Sequence, residues 1–135
     1  MSNVVSRDVA ESEFSRFIDM NDILLETPNM TADDIAAVGE QRERIIRAMM
    51  AGSLSVNENG EPIFLPQRSD CVSSLTFHEP TGASLMAADR KRKNEDIGKL
   101  YAAMADMTKT DIKTFSRMRM ADLKICMAVT TLFLG

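Results

Sequence analysis

Three side chains in this sequence combine polarisability with accessible acid–base chemistry: Cys71, Cys126 and His78. Cysteine–histidine catalysis would need one thiol brought to the imidazole, an orienting Asn or Asp, and an oxyanion pocket. No sequence signature supports that set. His78 is followed by Glu79, but neighbours on a strand point to opposite faces and do not readily share a proton. The pair reads as surface residues at a strand end. A zinc site needs about four soft ligands at short spacings, more than two cysteines and one histidine supply. The cysteines lie far apart without a CxxC partner, which suggests small buried hydrophobes in a reducing compartment rather than a disulfide. Six glycines, scattered singly, form neither GxGxxG nor a P-loop, so nucleotide phosphates find no backbone cradle. No catalytic residue, cofactor or metal is expected, and the protein reads as a non-enzyme.

The remaining candidates are binding residues. Arg90, Lys91, Arg92 and Lys93 place four cations around a helical turn. Asp89, Glu95 and Asp96 dilute that run and no aromatic interleaves it for base stacking, so a solvated helix face is preferred to a nucleic-acid patch. An acidic protein partner, or the chain's own acidic half, is the intermediate reading. Residues 1–66 hold 5 bases and 12 acids (net −7), residues 67–135 hold 11 and 8 (net +3), and the whole carries −4, which argues against a general nucleic-acid binder. Such halves either attract each other or serve different partners. Methionine is the compositional anomaly, at 11 of 135 residues. Unbranched thioethers repack easily and suit a groove that accepts variable partners, although helical spacing is first a core signal. Met104 and Met107 are assigned to the core. Met118 and Met120, flanked by Arg117 and Arg119, are expected to be exposed and are the preferred partner-binding pair.

The elements that position these residues follow from periodicity and punctuation. Phe14, Phe17, Ile18 and Ile23 to Leu25 suit an amphipathic helix over 13–25, capped near Ser12 and ended before Pro28. Thr31 with Asp34 reads as a variant capping box opening a second helix to about Ala51, with Ile35, Val38, Ile45, Ile46, Met49 and Met50 as its stripe and Gly39 to Glu43 as a weak spot. Gly52 supplies a stop. Strands at 53–56 and 63–65 flank the Asn-Gly turn, and Pro62 and Pro66 should keep any strand there short and near an edge. Leu75 to His78 alternate as a third strand. Helices follow from Thr81, with Leu85 and Met86 as the first buried positions, then through Ile97 to Met107, over Asp111 to Phe115, and in a last helix buried on most sides.

The class is therefore α+β and mainly α: a small helical domain with a short antiparallel hairpin or three-strand sheet between two helical regions. Residues 1–66 form an acidic helical segment with the hairpin and 67–135 a second helical region, together expected to make one compact domain. The longest apolar stretch, Ile125 to Leu134, falls short of the ~18 residues of a membrane helix, and residues 1–13 lack the basic start and apolar run of a signal peptide. A cytosolic protein without a membrane partner is expected.

The stretch Leu75-Thr76-Phe77-His78-Glu79-Pro80-Thr81-Gly82-Ala83-Ser84-Leu85, the later helices, Met118 to Leu123 with Asp122, and the closing Leu132-Phe133-Leu134 resemble the tail assembly chaperones of long-tailed bacteriophages over roughly the C-terminal half. The likeness lies in a Glu-Pro-Thr-Gly strand-to-helix junction and an Asp about ten residues before a terminal Phe-Leu. It implies a small non-enzymatic protein of the host cytoplasm that binds the tape measure and tail tube proteins during tail morphogenesis. Residues 1–66 depart from the family's short N-terminal strand pair by adding two helices. The alternatives are a virion structural or baseplate adaptor protein and a small regulator that binds a host protein. A homo-oligomer is a further state the sequence leaves open.

Overall fold

The computed structural model describes residues 5–89 and 96–134. It is 58% helical, with one three-stranded antiparallel sheet, as the α+β reading requires. The first helix, α1 (Arg7–Met20), starts earlier and ends earlier than the apolar spacing suggests. Ser6, not Ser12, is the cap: its hydroxyl accepts from the Val9 N–H at 3.3 Å and satisfies a donor that the helix start would otherwise orphan. At the other end the Asn21 amide donates to Phe17 O and Gly60 O, both at 2.8 Å, and Asp22 takes a left-handed φ of 53°. That turn removes Ile23, Leu24 and Leu25 from the helix.

In α2 (Ala32–Met50) the capping box is present in both directions. Thr31 Oγ1 accepts from the Asp34 N–H at 3.1 Å, and Asp34 Oδ2 accepts from the Thr31 N–H at 3.0 Å. The helix runs unbroken through Gly39 to Glu43. Its second half buries Ile45, Ile46, Ala48 and Met49, but Ile35 is exposed and Val38 only half-buried, so the expected stripe is not continuous. Gly52, at φ 83°, turns the chain into the sheet.

Strands β1 (Leu54–Val56), β2 (Pro62–Phe64) and β3 (Leu75–Thr76) lie in that order, with Leu54 opposite Phe64 and Phe64 opposite Leu75. The proline strand is thus central, not at an edge. Pro62 is tolerated because it occupies the first position of β2, where its carbonyl is used instead, accepting from the Phe77 N–H at 2.8 Å. The third strand is regular for only two residues, because His78 N–H leaves the sheet for Met107 O at 3.0 Å. The hairpin tip is organised by Asn57, whose Oδ1 accepts from the Asn59 and Glu61 N–H groups at 2.9 Å. Gly60 sits at φ 80° so close to α1 that an added Cβ would lie 2.7 Å from Met20 Cβ.

Helices α3 (Gly82–Asp89), α4 (Asp96–Thr108), α5 (Ile112–Ser116) and α6 (Met120–Leu134) complete the chain. Thr81 caps α3, accepting from Ala83 N–H at 3.2 Å, and Ser84 Oγ donates to Asp106 Oδ2 at 2.6 Å, joining α3 to α4. Met86 is exposed rather than buried. Helices α2 and α6 run antiparallel: Val38 and Gln41 share a groove with Thr131 and Leu132, whereas Ala48 and Ala51 share a cleft with Ala121 and Ile125. A single apolar cluster draws Phe14, Phe17 and Ile45 from the first half together with Phe77, Met104, Met107, Leu123 and Val129 from the second. Phe133 meets Phe17 edge-on at 5.1 Å and 80°.

Candidate functional site

The reactive side chains each have a different hydrogen-bond partner. His78 Nδ1 lies 2.6 Å from Glu61 Oε2, a carboxylate 17 residues earlier in the chain. Hydrogen bonds from Asn57 and then His78 hold the Glu61 carboxyl below the usual carboxylate range. Cys71, half-buried, donates to Thr114 O at 3.5 Å. Cys126 is in the core, where burial pushes its thiol well up and away from nucleophilic use. Among the described residues no group of histidine, cysteine and carboxylate side chains could hold a metal ion.

The structure divides the proposed binding residues. Met118 is a core residue, 6% exposed, with Cys126 Sγ 3.8 Å from its sulfur, which corrects its placement as a surface contact. Arg117 caps the end of α5 and Arg119 donates its backbone N–H to Ser69 Oγ at 2.8 Å. The link between α5 and α6 therefore turns Met118 inward while its two arginine neighbours face outward, so basic flanks did not mark an exposed methionine. Met120 is 59% exposed, and Arg117 and Arg119 are exposed beside it. Arg90, Lys91, Arg92 and Lys93 lie outside the described residues.

Asp122 is a group whose part sequence reasoning missed. It is 1% exposed, yet its Oδ1 accepts from the Gln67 N–H at 3.1 Å, and its Oδ2 accepts from the Arg68 N–H at 3.0 Å and the Ser69 hydroxyl at 2.7 Å. Burial works against its charge, but the Ser69 hydroxyl and the backbone N–H groups outweigh it and hold the carboxyl below its ordinary value. The available signal was an Asp inside the apolar run of a helix, which needs local donors to be tolerated. Its role is to pin the 66–69 segment onto α6.

Two open concavities flank the α2–α6 pair. One, of about 690 Å³, has Arg44, Arg47, Arg68 and Lys124 interspersed with Glu40 and Glu43. Glu43 is already engaged by a two-pronged contact from Arg7, the nearer pair at 2.5 Å, and by Arg47 at 3.3 Å, and this pairing lowers its carboxyl to about 2. The other, of about 380 Å³, is apolar and is built by Ile23, Leu24, Leu25, Met30, Val38 and Leu132. The residues that left α1 at Asp22 form one wall, the exposed start of α2 the second, and the end of α6 the third. Leu24, 76% exposed, stands over it. This groove also escaped the sequence reading, because Ile23 to Leu25 were assigned to a buried helix face. No helix among the described residues is long and apolar enough to cross a membrane. No family model, curated protein or solved structure matches this chain.

Proposed function

We propose that this chain is a non-catalytic chaperone of bacteriophage tail assembly, holding an apolar segment of the tape measure protein and meeting the tail tube protein in the host cytoplasm. The observation that carries the binding role is the open apolar groove between the 23–30 segment, α2 and α6, over which Leu24 stands 76% exposed. An apolar concavity of this kind suits the apolar face of another chain's helix. The phage assignment rests on the resemblance of Leu75 to Leu85 and of the Asp122 to Phe133 region to tail assembly chaperones. The separate engagement of His78, Cys71 and Cys126 supports a role without catalysis.

The test is affinity capture of the tagged chain from infected cells, with mass spectrometry of the bound proteins and of purified virions. Recovery of the tape measure protein from cells, with the chain missing from virions, is the expected result. Stoichiometric presence in virions would replace the reading with a structural adaptor, and capture of a host protein without effect on tail formation would replace it with a regulator.

A further inference from the structure

We propose that the occupant of the apolar groove is a basic amphipathic helix of the partner protein, one side apolar and its flanks carrying lysine or arginine. This rests on the reading of the groove as the holding site and adds the chemistry of what is held. The charge of the segment that builds the apolar floor sets that chemistry. Between Phe17 and Gln41 the chain has six carboxylates, on Asp19, Asp22, Glu26, Asp33, Asp34 and Glu40, and no Lys, Arg or His. This same segment supplies every groove-lining residue among those described except Thr131 and Leu132 of α6; Asp34 is the carboxylate in that lining, and among the described residues no base lines it.

The bases that bracket the segment are committed elsewhere. Arg16 donates to Val56 O at 2.7 Å, to Asn57 O at 2.8 Å and to Glu13 at 2.9 Å. Arg42 reaches back to Glu11 at 3.4 Å and lies 5.5 Å over the Phe14 ring. Neither is directed to the groove rim. An apolar groove whose lining holds the Asp34 carboxylate, and whose building segment carries charge of one sign, favours segments of the opposite sign and disfavours acidic ones, because like charges at a rim oppose docking. A groove between two antiparallel helices and a loop takes a helix by its i, i+3, i+4 and i+7 side chains.

The experiment measures anisotropy of two labelled synthetic peptides against the full chain. Both carry the same leucine stripe at helical spacing; one has lysine at the flanking positions and the other glutamate. The lysine peptide should bind, and the glutamate peptide should bind at least about tenfold more weakly. Leu24→Ser should weaken the lysine peptide about tenfold or more, since a large apolar contact is lost while the protein's charge is unchanged. Glu26→Gln with Asp34→Asn should weaken it about three- to tenfold and flatten its salt dependence, the amide at 34 keeping an acceptor for the Thr31 N–H. Equal binding of the two peptides would overturn the basic occupant and leave the groove reading standing. Binding of neither peptide, or Leu24→Ser binding like wild type, would overturn the groove as the holding site and the proposal with it. A dimer of the free chain that Leu24→Ser dissociates would show a second copy to be the occupant, and would overturn the proposal as well.

Discussion

Replacing Asp122 tests whether a buried carboxylate holds the 66–69 segment to α6. Asp122→Ala removes the acceptor for the Gln67 and Arg68 N–H groups and for the Ser69 hydroxyl. Hydrogen bonds to a charged acceptor are each worth about 1.5–3 kcal/mol, but they are not additive. Gln67 and Arg68 are exposed, so water re-enters and recovers part of the loss. A destabilisation of about 2–4 kcal/mol follows for Ala. Asp122→Asn should cost about 1–3 kcal/mol, because its amide nitrogen must face a donor. The sign with pH is set by the lowered folded-state value. The carboxylate's stabilisation is complete above the unfolded value of about 3.9 and is lost as the pH falls from there through the folded one. Urea unfolding followed by far-ultraviolet circular dichroism suits a chain without tryptophan. The gap between wild type and Asp122→Asn should be larger at pH 7 than at pH 3, a comparison that cancels the other carboxylates. An Ala variant within about 0.5 kcal/mol of wild type, or a gap that does not shrink in acid, would refute this account.

Met118→Ser should destabilise by about 2–4 kcal/mol, through a cavity beside Cys126, whereas Met120→Ser should stay within about 0.5; equal effects on the urea midpoint would contradict the inward turn at Met118. Gly60→Ala should cost about 1–3 kcal/mol, since an L residue at φ 80° is strained and its Cβ would strike Met20; an unchanged midpoint would mean the hairpin is not packed on α1. Deleting Phe133 and Leu134 removes the edge-on contact to Phe17 and should cost about 1–3 kcal/mol by thermal melting, with an unchanged melt counting against α6 as a core helix.

Local rules were legible wherever one residue type dictates a local geometry. Thr31 with Asp34, the glycine stop at 52 and the Asn57-to-Gly60 tip are each set by capping or by a left-handed φ, and each formed where expected. The start of α1 was misread because two serines, Ser6 and Ser12, each precede helix-compatible residues, and periodicity does not choose between them. Its end was misread because Asp22 adopts a left-handed conformation that Gly or Asn usually advertises. Pro62 was assigned to an edge because the rule concerns the missing donor, and the rule is satisfied equally by first place in a central strand. The groove stayed hidden because the end of α1 was misread: once Ile23 to Leu25 are counted in α1, their apolar side chains are spent on the core and no open surface remains to be inferred.

Charge counted by halves concealed the groove's electrostatics as well. The −7 of residues 1–66 suggested attraction to the +3 of the rest, yet the ion pairs among the described residues join Arg7 to Glu11 and Glu43, Arg16 to Glu13, Arg42 to Glu11 and Arg47 to Glu43, all within the first half. The contact that crosses the halves is His78 with Glu61, and its strength depends on the histidine's protonation. Four of the five bases in the acidic half are thus drawn into pairs with the acids of α1 and the middle of α2. What remains unneutralised in that half is concentrated in the segment without a base, between Arg16 and Arg42, which is the segment that builds the groove. Cohesion between the halves falls to the apolar cluster of Phe17, Ile45, Val129 and their neighbours, and the acidity left without a paired base lies mostly in the segment that builds the apolar groove, with Asp34 in its lining.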